Sequence, residues 1–162
     1  YRVDSLAFSV KSTSDIARVS GPADLAGKKV IVGSGTNQER ILLGWNAENE
    51  AAGRQPALPV YLTDDASGNL YIQSGRADVF FGPQSVAAYK AALSGKTKVV
   101  GLGPKKAYVA TTTKKGNGLA PALQAALNGA IARGEYQKVL ARWGEQGEEV
   151  TQSEVNPPGI TY

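Results

Sequence analysis

The sequence predicts an α/β protein, because short β-branched runs bounded by turn residues alternate with stretches of helical periodicity. Val30 to Val32, Val60 to Leu62 and Val79 to Phe81 are the clearest runs, and a helix-like stretch follows each. That alternation implies a sheet joined by crossover connections.

Asp4 to Lys11 place Leu6, Phe8 and Val10 on one side of an expected first strand. Ser20-Gly21-Pro22 opens a short helix through Leu25, and the buried strand Val30 to Val32 follows Lys28-Lys29. Gly33 and Gly35 then allow backbone angles that other residues resist. Thr36 and Glu39 have the spacing of a capping box, so Thr36 is the expected N-cap and the helix begins at Asn37. Its stripe is Ile41, Leu42 and Trp45, and Gly53 ends it.

After the strand Val60 to Leu62, the residues Thr63, Asp64 and Asp65 crowd the start of a short helix with Leu70 and Ile72 near its end. Gly75 to Asp78 turn the chain into Val79 to Phe81, a strand stopped by Gly82-Pro83, and a helix runs from about Ser85 to Leu93. Val99-Val100 and Tyr108 to Thr112 are two further strand candidates. Leu119, Leu123, Leu127 and Ile131 recur every four residues, with Gly134 at the C-terminal position. Tyr136, Val139, Leu140 and Trp143 form a second stripe. The tail from Gln146 to Tyr162 has no periodicity and is expected to run along the surface.

Composition removes several classes of chemistry. The chain of 162 residues has neither cysteine nor histidine, which excludes disulfides, thiolate nucleophiles, serine-histidine machinery and histidine metal sites. No cofactor or metal is expected, and the function is expected to be non-enzymatic. No stretch approaches the roughly 20 apolar residues of a membrane helix, and the N-terminus lacks a charged-then-apolar export pattern. The net charge of +4 is segregated: Lys90, Lys96, Lys98, Lys105, Lys106, Lys114 and Lys115 fall between Asp78 and Glu135, where no acid stands. Those lysines lack interleaved aromatics and contiguous arginines, so they read as a solvated face with no nucleic-acid partner.

The loop from Gly33 to Gln38 is the candidate binding element. A helix N-terminus at the carboxyl end of a strand attracts small anions, whereas Walker A would need Gly-Lys-Ser/Thr and a dinucleotide fingerprint a third glycine where Gln38 stands. Asp64 and Asp65 read as helix caps rather than an acid/base pair, Asp78 as a turn organiser, and Trp45 and Trp143 as core residues.

Four blocks occur in order: DLAGKKVIVGSGTNQE, SGRADVFF, YVATTTKKGNG and LQAALNGAIARGEYQKVLARWG. Together they resemble the bacterial extracytoplasmic solute-binding proteins that feed polar amino acids to ABC importers. The resemblance implies a periplasmic-binding-protein-like lobe, with a parallel-type central sheet flanked by helices, plus C-terminal helices that normally pack on the other lobe. It further implies that residues 1–9 are a first crossover strand and 10–107 the second, solute-binding lobe. Residues 108–162 would be the return crossover, two helices of the first lobe and an irregular tail; most of that first lobe would precede Tyr1.

By the same resemblance, Gly35, Thr36 and Asn37 would meet the carboxylate of a small polar or zwitterionic solute, with Gln38 close by and Ser34 also among the ligand-binding residues. Gly82, Pro83 and Gln84 would line the site where relatives that bind α-amino acids place an acid for the ammonium; Gln84 offers only a neutral acceptor. The implied partners are that solute and a membrane permease, and the implied location is outside the cytoplasm, in the periplasm or lipid-anchored. The stripes led by Leu119 and Tyr136 would lack a partner, which predicts dimerisation, a swap of the C-terminal helices, or repacking on the chain's own lobe. Two other readings are a dehydratase-like enzyme on the same fold and a receptor's sensor domain, against which the Pro-Gly tail reads as a natural terminus.

Overall fold

The structure, a computed structural model, describes residues 1–62 and 65–159, without the side chains of Asp65 and Ala66. The expected caps Thr63 and Asp64 lie outside the described residues, and the Asp65 side chain does too. The chain divides into two compact units, Leu6–Pro104 on one hand and Tyr1–Ser5 with Lys105–Tyr162 on the other.

The first of these holds most of a sheet whose order is β3-β2-β4-β1-β5. Its strands are β1 (Arg2–Lys11), β2 (Lys29–Ile31), β3 (Leu58–Val60), β4 (Val79–Pro83) and β5 (Thr97–Val109). β2 pairs parallel with both β3 and β4, while β1 pairs antiparallel with β4. The helices are α1 (Asn37–Ala51), α2 (Asp65–Ser74) and α3 (Gln84–Ser94).

Side chains alternate across the sheet, so β2 and β4 feed two cores. Val30, Val32, Val79 and Phe81 pack with Ile41 and Leu42 of α1 and with Leu6, Phe8 and Val10 of β1. Phe8 stacks on Phe81 at 4.1 Å and on Trp45 at 5.4 Å, which gives Trp45 the packing role expected of it. On the opposite face Ile31, Ile72 and Ala77 are joined by Phe80 and Tyr71. β1 is buried on both faces, since Ser5, Ala7 and Ser9 are covered as well. Its outer positions therefore carry small residues.

Two polar contacts set the connections. Asp78 accepts from Lys29 N–H at 2.8 Å, which organises the turn into β4 as expected. Asn49, fully buried in α1, donates to the Pro22 carbonyl at 2.8 Å and accepts from Arg54 Nε at 2.9 Å.

Three expectations are corrected. The strand placed at Val60 to Leu62 lies at Leu58–Val60, because Leu58 N–H bonds to Lys28 and brings the pairing forward. The two strand candidates near Val99 and Tyr108 are one long strand, β5, with 110–113 outside it. Gly101 and Gly103 lie inside that strand: a Cβ on the first would strike the Val19 carbonyl and one on the second would crowd Leu6. They are glycines because neighbours approach closely, not because the strand ends. Gly82-Pro83 likewise does not stop β4: both pair with β1, as Ala7↔Gly82 and Leu6↔Pro83.

The second unit holds α4 (Leu119–Ala132), α5 (Glu135–Trp143) and a 3-10 turn, Gln146–Glu148. Gly134, at φ 72°, separates the helices. Tyr136 and Leu140 are buried, but α4 buries no residue, and Leu119, Val139 and Trp143 are more than half exposed. Trp143 is thus not the core residue its spacing predicts. The tail is held more firmly than its lack of periodicity suggests: Ser153 donates to Asn128 Oδ1 at 2.7 Å, and its carbonyl accepts from Gln124 and Asn128.

Candidate functional site

The parallel register Val30↔Val79 and Ile31↔Phe80 aligns the carboxyl ends of β2 and β4. Beyond them begin α1 and α3, so two helix N-termini open at the same sheet edge. Ser34 to Gln38 and Pro83-Gln84 are brought to that edge. Gly82 is not a loop residue but a buried strand position, its Cβ direction filled by the Phe80 ring.

At α1, Thr36 is the N-cap and Asn37 the first helical residue, as expected. Thr36 Oγ1 donates to the Gly33 carbonyl at 2.7 Å and accepts from Glu39 N–H at 3.3 Å. The capping box closes differently from the expected pattern. Glu39 reaches past Thr36, and its Oε2 accepts from Gly35 N–H at 2.6 Å. Left-handed Gly35, φ 72°, turns that N–H to where the carboxylate can take it.

The Tyr61 hydroxyl and the Gly35 N–H both favour the ionised Glu39 carboxyl, which is held below its usual range, and Glu39 in turn pushes the Tyr61 hydroxyl up. The chain therefore places a carboxylate of its own on this loop. That occupant and Tyr61 escaped the sequence reading, which saw Glu39 only as a cap; its place three residues after Thr36 was the available signal. The first two helical residues, Asn37 and Gln38, have N–H groups without intrahelical acceptors. Asn37 Oδ1 accepts from Arg40 at 2.5 Å.

A surface hollow of about 470 Å³ lies over the start of α1, lined by Gly35, Thr36, Asn37, Glu39, Arg40 and Leu43. At the other helix, Pro83 is the N-cap and supplies no side-chain bond to α3, leaving its first N–H groups uncapped. Among the described residues no cluster of acids could hold a metal ion, and no helix is long and apolar enough to cross a membrane.

This lobe, with helices opening at the carboxyl edge of a parallel β3-β2-β4 core, has the fold of the substrate-binding proteins of amino-acid ABC transporters. A protein of Bacillus subtilis described as a probable amino-acid ABC transporter extracellular-binding protein superposes with a TM-score of 0.73 at 25% identity, over 91% of this chain and 62% of its own. The amino acid ABC transporter substrate-binding protein AbpA of Streptococcus pneumoniae, solved bound to L-arginine, gives 0.71 at 21% identity, over 93% and 60%. The second substrate-binding domain of GlnP from Lactococcus lactis, in an open conformation, gives 0.60 at 21%, over 88% and 59%. These neighbours are binding proteins rather than enzymes, and the chain spans about 60% of their length. No protein-family model matches the sequence, and no curated protein matches it.

Proposed function

We propose that this chain is part of the substrate-binding component of an amino-acid ABC importer. In this reading it works outside the cytoplasm, capturing a small polar or zwitterionic amino acid or derivative and delivering it to a membrane permease. The observation that carries the reading is the convergence of two helix N-termini, at Thr36 to Gln38 and at Pro83-Gln84, on one edge of a fold shared with such proteins. A carboxylate placed there gains from both helix dipoles, each worth about 0.3 to 1 kcal/mol when exposed and up to about 2 when partly buried.

Asn37 and Gln38 offer N–H groups at once, whereas Gly35 offers its own only when Glu39 turns away. Ser34 and Thr36 frame the approach, and Gly82 keeps the floor low. With no acid at Pro83 or Gln84, an ammonium on the solute takes its counter-charge from a facing lobe or from Glu39. Closure of a facing lobe would then trap the solute.

Thermal-shift screening of the full-length protein against amino acids, amines, opines and small peptides tests the reading. A solute at 100 times its Kd should stabilise the fold by about 2.7 kcal/mol. In the same titration the Asn37 and Gln38 amide resonances should move. Absence of stabilisation across the set refutes the reading.

A further inference from the structure

The start of β1 and the segment after α5 meet in a charge cluster that the binding reading does not use. Arg2 hydrogen-bonds Glu148 and lies 3.9 Å from Glu145 and 3.7 Å from Asp4. The Glu148 side chain is 3% exposed, and Arg2, Asp4 and Glu145 are all below 20%. One guanidinium thus faces three carboxylates in a largely desolvated place. Asp4 Oδ1 is buried without a hydrogen-bond partner among the described residues, since 3.7 Å is too long for one.

We propose that this cluster is an acid-tightened latch: a proton held by Asp4 or Glu148, beside the Glu145 charge, fastens the segment after α5 to β1 in mild acid, and its loss loosens that attachment. The physical ground is charge balance. Two negative charges in excess cannot all ionise cheaply when close and desolvated, so the folded state favours holding a proton. Burial pushes the Asp4 and Glu148 carboxyls up; Arg2 pulls both back without cancelling the rise, and the Glu145 charge adds to it.

Tyr136 of α5 donates to the Tyr1 carbonyl at 2.8 Å and accepts from Val150 N–H at 3.0 Å, which ties the same two segments together. Glu149 lies close to that hydroxyl, and Lys105 and Lys106 stand on β5, the strand beside β1 in the sheet. The Tyr1 amine donates to the Val109 carbonyl.

A carboxyl whose pKa is raised on folding binds protons more tightly in the native chain. Stability therefore falls as pH rises from the unfolded value, about 4, through the raised native value. Because the sequence has no histidine or cysteine, few other groups titrate near pH 6.

The test is thermal unfolding of the 162-residue chain at about pH 5 and pH 7 together with hydrogen exchange at Val150, for wild type, Asp4→Asn and Glu145→Gln. The latch predicts a melting temperature a few degrees higher at pH 5 in wild type, with Val150 more protected after correction for intrinsic exchange. Either variant should flatten both differences, while N-terminal acetylation should leave them in place. Equal or lower stability at pH 5 overturns the proposal, as does a pH difference that survives both substitutions.

Discussion

Thr36 concentrates several physical demands in one side chain. Its hydroxyl satisfies the Glu39 N–H of α1 and fastens the Gly33 carbonyl, so Thr36→Ala should cost about 1 kcal/mol in urea unfolding, as lost N-caps do. Glu39 gives a pH signature of opposite sign to that of the latch. Its lowered pKa means the bond to Gly35 is intact above the ordinary glutamate value of about 4.3 and fails only as pH falls through the lower native value. The Gly35 amide resonance should therefore titrate with a midpoint below about 4.3, and a midpoint at or above it would contradict the assignment. Asn49 is the other residue whose role is wholly tertiary. Asn49→Ala removes the fully buried amide that pairs with the Pro22 carbonyl and Arg54, and should destabilise by about 1 to 3 kcal/mol.

Among the elements, α1 and β5 mark the two extremes of what local pattern reveals. The N-cap and first residue of α1 follow from Thr-x-x-Glu spacing, because capping is settled within one turn. β5 joins two expected strands, Val99-Val100 and Tyr108 to Thr112, through Gly101, Gly103 and Pro104. What makes them strand residues is a neighbour: Val19 N–H bonds to Val100, and its carbonyl fills the space a Cβ on Gly101 would need. Gly101→Ala should cost at least about 1 to 3 kcal/mol, since the opposing atoms are backbone and cannot rotate aside. Gly82→Ala meets the Phe80 ring instead. It should be milder because a ring can turn, and calorimetry on the two variants would rank them.

For the molecule as a whole, α4 and α5 leave part of their apolar stripes exposed: Leu119 and Leu123 of α4, Val139 and Trp143 of α5. Leaving large apolar side chains in water forgoes roughly 1.5 to 3 kcal/mol each. The isolated chain should therefore associate through Leu119, Leu123, Val139 and Trp143, and light scattering should show the mass falling toward monomer when Val139 and Trp143 are replaced by serine. A monodisperse wild-type monomer would count against that face being adhesive.

The α/β class, the order of the elements up to α3, the cap at Thr36 and the two stripes of the C-terminal helices are legible in the sequence. These depend on contacts within a turn or on periodicity, which a linear pattern carries. Tertiary structure alone decided that Gly82 and Pro83 belong to a strand and that β5 is continuous. It also decided that Glu39 occupies Gly35 and that Arg2 gathers three carboxylates, two of them more than 140 positions away. Each of these is set by atoms far apart in the chain. Local propensity does not encode which distant backbone or charge will close upon a residue.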